Sequence, residues 1–235
     1  MRLNKYLFFI SVFILTILMS AFAHFRNSKR SVEKVMINFE SQGALFLNDS
    51  LVDKLLIQNK GELPWKAKDS LVLSMLEILL ENNPYIDNAE VYHFQQGVLG
   101  VNIQEKRAVV RIQGLDQYYL DKSGSQFPIS NNHTPKVPLF MGTLEEEQKE
   151  DLLSLIMHIK KDPFLRNELA SIYYRSNSYF IGLRSYGFEV EIGQIHRVGE
   201  KLSKLKVFCV YLDNHTLKRE YTLINLKFKN QVVGS

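Results

Sequence analysis

The chain has 235 residues, 46% hydrophobic and 23% charged, with a formal net charge of +4. That length holds one or two compact domains, and the composition is that of a folding sequence, which excludes disorder as the basis of function. Lysine and arginine are interleaved with aspartate and glutamate and form no basic stripe, which excludes nucleic acid as the expected partner, and the single cysteine, Cys209, excludes an internal disulfide.

From the amino terminus, Arg2 and Lys5 precede an uncharged run, Tyr6–Ala23, interrupted only by Ser11, Thr16 and Ser20. As a helix it reaches about 27 Å, close to the hydrocarbon thickness of a bilayer. Ala21-Phe22-Ala23 also spells an A-x-A-like cleavage site, the mark of a signal peptide. The run exceeds the usual signal core and stays bulky to its end, so the expectation is an uncleaved anchor over residues 6–23. Residues 1–5 are then a short cytoplasmic leader and residues 24–31 a linker. Arg26, Lys29 and Arg30 balance the charges on the other side, so charge counting does not orient the segment. A leader this short normally enters the export machinery as a signal anchor, which puts the body outside the membrane.

Val35, Ile37 and Phe39 alternate as a first strand, turned at Gln42-Gly43. Asn48 is placed to cap a short helix carrying Leu51, Val52, Leu55 and Leu56, and a polar loop around Gly61 and Pro64 follows. Val72, Met75, Leu76, Leu79 and Leu80 form one apolar stripe at helical spacing, and Pro84 breaks that helix. Ala89 and Val91 then share one face of a strand, Gln95-Gln96-Gly97 turns, and Leu99, Val101 and Ile103 share a face of the next. The order is strand, helix, helix, strand, strand, with one face of the sheet under both helices.

From Arg107 onward the chain is strand-rich. Val109–Ile112, Gln117–Leu120 and Val137–Met141 read as strands, and Asp121-Lys122-Ser123-Gly124 as a hairpin turn before Gln126. Thr143-Leu144-Glu145-Glu146 reads as a capping box opening a helix that buries Leu152, Leu155, Ile156 and Ile159. Lys160 and Lys161 lie near its end and Pro163 just beyond. Strands around Ile172–Tyr174, Tyr179–Arg184 and Phe188–Ile192 lead to a helix with Val198, Leu202, Leu205, Cys209 and Leu212 on one stripe. The last expected strand is Tyr221–Phe228, with Ile224, Leu226 and Phe228 facing one way and Leu223 and Asn225 the other.

Little in the chain points to catalysis. The six histidines, His24, His93, His133, His158, His196 and His215, stand apart without metal-ligand spacing, and no glycine-rich phosphate loop occurs. No cofactor or metal is expected. Asp121, before Lys-Ser-Gly, reads as a turn-stabilising carboxylate, and Asn48, Asn132 and Asn214, though in N-x-[ST] sequons, as turn residues. Cys209 sits among Val207, Phe208 and Val210 and is expected to be buried and inert.

Five pieces in order carry a resemblance. They are Asn83-Pro84-Tyr85-Ile86 with Ala89-Glu90-Val91, Leu99–Arg107 ending in an acidic-basic pair, Tyr118-Tyr119-Leu120-Asp121 with Ser123-Gly124, Glu191-Ile192-Gly193 with Lys201-Leu202, and Ile224-Asn225-Leu226-Lys227-Phe228. Together they resemble FtsQ, also called DivIB, the single-pass cell-division family. Ala108 stands where that family commonly has proline and Asn225 where it commonly has aspartate. The resemblance implies an α+β chain: one transmembrane helix, a POTRA domain over residues 32–107, and a β domain over residues 108–235 with two flanking helices and a partner-binding last strand.

It further implies a scaffold of the divisome that is not an enzyme, sited in the inner membrane at the septum. FtsB/DivIC-like and FtsL-like single-pass proteins are its partners, and through them FtsW and the FtsI-type transpeptidase that build septal peptidoglycan. An unpaired strand offers free N–H and C=O groups to a partner strand, so the open edge of Tyr221–Phe228 is the expected docking site, with Tyr221, Leu223, Asn225 and Lys227 at the contact. The rival reading is a POTRA-bearing envelope assembly component or a cleaved, secreted wall-binding protein.

Overall fold

The computed structural model describes residues 3–28, 34–40, 46–58, 70–94, 98–214 and 220–235. The expected turns at Gln42-Gly43 and Gln95-Gln96-Gly97 and the loop around Gly61 and Pro64 lie outside the described residues. The chain divides into two units, Met1–Glu105 and Lys106–Ser235.

Helix α1, Leu3–Ser28, contains the apolar run, and its window Phe8–Phe25 has a mean hydropathy of 2.2 with none of it buried. Among the described residues it is the one helix long and apolar enough to cross a membrane. Two of its polar interruptions are satisfied within the helix: the Ser11 hydroxyl donates to the Phe8 carbonyl and that of Thr16 to Phe13, each at 2.8 Å. Such back-bonding lets a hydroxyl sit in apolar surroundings at small cost.

In the rest of the first unit, β1 (Lys34–Phe39), α2 (Asp49–Gln58), α3 (Ser70–Glu81), β2 (Ile86–His93) and β3 (Val98–Glu105) follow the expected order. The sheet runs β1-β3-β2, with β1 parallel to β3 and β2 antiparallel to it. A parallel pair needs a crossover, which α2 and α3 belong to. Asn48 caps α2, its Oδ1 accepting from the Leu51 amide at 2.9 Å. Val52, Leu56, Leu76 and Leu80 pack on Ala89, Val91, Leu99, Val101 and Ile103, so one face of the sheet is covered. Met75 departs from the expected stripe and is 47% exposed. The buried set Val72, Leu76 and Leu80 repeats every four residues, which leaves Met75 at the margin.

Two buried or edge-facing arrangements tie this unit together. Glu105, only 3% exposed, turns its Oε1 to the amides of Phe46 at 2.9 Å and Leu47 at 2.7 Å, supplying the chain entering α2 with an acceptor. From α3, Glu77 accepts from the Val91 amide at 2.9 Å and Glu81 from the Ala89 amide at 3.2 Å, on the side of β2 that faces away from β3.

The second unit is a nine-stranded sheet in the order β12-β11-β10-β9-β8-β7-β4-β5-β6. Its strands are β4 (Ala108–Gln113), β5 (Gln117–Asp121), β6 (Gln126–Pro128), β7 (Leu139–Met141), β8 (Leu169–Arg175), β9 (Ser178–Leu183), β10 (Glu189–Gly193), β11 (Leu223–Asn225) and β12 (Val233–Gly234). Helices α4 (Glu146–Lys161) and α5 (Pro163–Glu168) precede β8, and α6 (Val198–Asn214) precedes β11. The parallel pairs β7–β8 and β10–β11 are the two that these helices bridge. Leu152, Leu155, Ile156 and Ile159 of α4 and Val198, Leu202, Leu205 and Cys209 of α6 share one core with Ile112, Leu120, Phe140, Ile172, Ile181, Val190 and Ile224.

Asp121 stabilises the β5–β6 turn as expected, Oδ1 accepting from the Ser123 amide at 2.8 Å, the Ser123 hydroxyl at 2.6 Å and the Ser125 amide at 2.9 Å. Two expectations are corrected. The capping box of α4 is Glu145 with Gln148, not Thr143 with Glu146, because the Gly142 amide still donates to Gln113 at 3.1 Å and holds the chain on the sheet. Strand β7 starts at Leu139 rather than Val137, since Pro138 has no amide for the ladder.

Pro163 begins a short helix rather than only ending α4. Asp162 is its N-cap, accepting from the amides of Phe164 at 2.9 Å and Leu165 at 3.2 Å, and Lys206 of α6 binds its other oxygen at 2.7 Å. The Lys206 hydrogen bond, helped by the two amides and opposed by burial, holds the Asp162 carboxyl below the usual aspartate range. Asp162→Ala is expected to cost about 1 kcal/mol at neutral pH, mostly the cap, since the partly exposed ion pair adds little. A carboxylate depressed on folding contributes fully above its unfolded value of about 3.9 and loses that contribution as pH falls through the lower folded value. The gap in melting temperature between wild type and variant should therefore be constant from neutrality to mild acid and narrow below that window, the neutral carboxyl keeping a carbonyl oxygen for the cap.

Candidate partner-binding edge

The last strands of the sheet build this site. β10 pairs parallel with β11, Glu189 opposite Leu223 and Glu191 opposite Asn225. β11 pairs antiparallel with β12, Ile224 opposite Gly234 and Asn225 opposite Val233. Ser235 extends the ladder: its amide donates to the Leu223 carbonyl at 3.0 Å, while the amides of Thr222 and Leu223 donate to its carbonyl at 2.8 and 3.3 Å.

The open edge expected along Tyr221–Phe228 is thus corrected. The regular strand is Leu223–Asn225, and its outer side is taken by Val233–Ser235. Leu226 still donates to Glu191 at 2.9 Å, but the next amide, Lys227, turns to the Asn225 side chain at 2.9 Å and bends the chain off the sheet. Phe228 is left 47% exposed rather than facing inward with Ile224 and Leu226. Asn230, at φ 63, then returns the chain. An asparagine before Val232-Val233-Gly234 was the available hairpin signal.

Because Ser235 exchanges bonds with Leu223, antiparallel alternation points the peptide groups of Gly234 away from β11. Among the described residues β12 is the end of the sheet. Gly234 is required there: a Cβ would come within 2.5 Å of the Tyr221 ring and 3.2 Å of Ile224.

The four expected site residues divide. Leu223, Asn225 and Lys227 lie on the helix-free face, the last two around Glu191, which is 8% exposed. Glu191 accepts from Asn225 Nδ2 at 2.7 Å and pairs with Lys227 Nζ at 2.7 Å. Both partners keep a nearly buried carboxylate satisfied. The Lys227 stem lies over Gly193, at φ 75, where a Cβ would meet it at 2.7 Å. Tyr221 instead turns to the helix side, edge-on to Phe208 of α6 with ring centroids 5.5 Å apart.

The register continues this face inward from Val233 through Asn225, Glu191 and Phe180 to Tyr173 and Met141. Tyr173 stacks on Phe180 at 5.2 Å, and Arg175 lies 4.2 Å above the Phe180 ring while pairing with Glu189 at 3.0 Å. Burial, then the neighbouring Glu189, pushes the Tyr173 hydroxyl above its ordinary value. Sequence reasoning found none of this cluster, since alternation marks a strand but not which rings meet across it.

Among the described residues no three histidine, cysteine, aspartate or glutamate side chains gather as metal ligands. Cys209 is fully buried and its thiol is pushed up to about 11, chiefly by that burial, so it is inert. No curated protein matches the chain. A family model described as FtsQ/DivIB, C-terminal related, matches residues 107–235, from the start of β4's approach through β12. A match over more than half of the chain, on the unit that carries this edge, makes it a member of the FtsQ/DivIB family of cell-division proteins.

Proposed function

We propose that the chain is a single-pass scaffold of the divisome in the inner membrane, with residues 1–5 cytoplasmic, residues 6–23 the anchor, residues 24–31 a linker and the body extracytoplasmic at the division site. Residues 32–107 act as a POTRA domain, a reading supported by the strand-helix-helix-strand-strand order and the β1-β3-β2 sheet. Residues 108–235 capture FtsB/DivIC-like and FtsL-like single-pass partners and through them help control FtsW and the FtsI-type synthase. The chain positions these enzymes and performs no chemistry of its own.

Capture is by strand addition at the β11–β12 end of the sheet. The observation that carries this is β12 itself, a two-residue strand with the peptide groups of Gly234 turned outward. Val233 then lies directly beside the added strand, with Leu223, Asn225 and Lys227 one strand further in on the same face, and Tyr221 supports β12 from beneath. A photoreactive residue at Val233, which is 41% exposed, should crosslink in cells to the FtsB/DivIC-like protein, while one at Leu115, 94% exposed in the β4–β5 turn, should not. Equal products from both positions, or none from Val233, would sink the strand-addition reading.

A further inference from the structure

β12 contributes only two ladder residues, and such a short outer strand is poorly ordered unless tied down. The tie comes from α6. Lys204 Nζ donates to the carbonyls of Phe228 at 2.6 Å, Gln231 at 3.4 Å and Leu226 at 3.5 Å, all in the segment that joins β11 to β12. An ammonium has three donors, and these three carbonyls match them in number. The bend begun at Lys227 and reversed at Asn230 is thereby fastened to a helix whose Leu202, Leu205 and Cys209 are locked in the core.

We infer that Lys204 is a positioning residue for partner capture: it holds β12 in strand geometry before the partner arrives, so the partner strand meets a formed edge rather than one it must order. This rests on the strand-addition reading above. A preformed edge avoids the ordering cost that binding otherwise carries. Lys204 itself lies on the helix side, and its effect is transmitted through the turn.

Lys204→Cys in the purified full chain, in detergent micelles, removes the ammonium; alkylation with 2-bromoethylamine rebuilds a side chain of lysine length that ends in one. Cys209 is buried and escapes the reagent. The unmodified variant should exchange the Leu223 and Ser235 amides faster and bind the FtsB/DivIC-like protein roughly tenfold more weakly, and aminoethylation should restore both. Unchanged amide protection in the variant, or faster exchange with unchanged affinity, overturns the inference. So does a binding defect that aminoethylation leaves in place. If the wild-type chain binds no such protein, strand addition fails with it, whereas failure of Lys204→Cys alone to weaken binding leaves that reading standing.

Discussion

Gly234→Val is expected to weaken partner capture sharply while the rest of the second unit stays folded. The valine Cβ would enter the space of the Tyr221 ring at 2.5 Å, and that ring is itself held against Phe208. Relief comes most cheaply by releasing Val233–Ser235 from β11, because those residues contribute a short ladder and little of the buried core. Overpacking of this kind costs about 1–3 kcal/mol, enough to weaken binding by about fivefold to a hundredfold or more if the released strand is what the partner pairs with. Calorimetric titration of the variant with the FtsB/DivIC-like extracytoplasmic region, beside a melting curve, separates the two effects. Near wild-type affinity in a folded variant would mean that β12 is not the docking strand.

Glu105→Ala should strongly destabilise the first unit. It deletes the acceptor of the Phe46 and Leu47 amides in a place where both residues are buried, at 1% and 4% exposure. A buried donor left without a partner costs about 1–3 kcal/mol, and the loss of two is expected to reach about 2–4 kcal/mol, a large share of a small domain's stability. The Phe46 ring, stacked on Tyr85 with centroids 5.4 Å apart, would lose its anchor as well. Glu105→Gln keeps a carbonyl oxygen for the same amides and should cost less than half as much. Hydrogen exchange across β2 and β3 measures both, and equal protection in Glu105→Ala and wild type would refute the account.

Periodicity made most elements legible. Leu152, Leu155, Ile156 and Ile159 are buried as their spacing requires, and so are Leu99, Val101 and Ile103. What stayed hidden depends on partners distant in sequence. Glu105 read as half of a charged pair, because nothing near it in the chain announces that its oxygen will meet amides from residues 46 and 47. Lys204 carries no signal of its role in the sequence, since its carbonyl partners come from a turn more than twenty residues later. The last strand reads as an edge for a related reason. Tyr221–Phe228 alternates cleanly, but alternation carries no information about the Asn225 side chain capturing the Lys227 amide and bending the chain.

Glu77 and Glu81 give the other sheet a different character. By taking the Val91 and Ala89 amides, two carboxylates from a helix stand in for the carbonyls of a neighbouring strand. An extended segment that approached β2 would have to evict charged groups already seated on their donors, and would gain no new amide partners by doing so. That turns casual strand exchange and sheet-to-sheet clumping away from this flank.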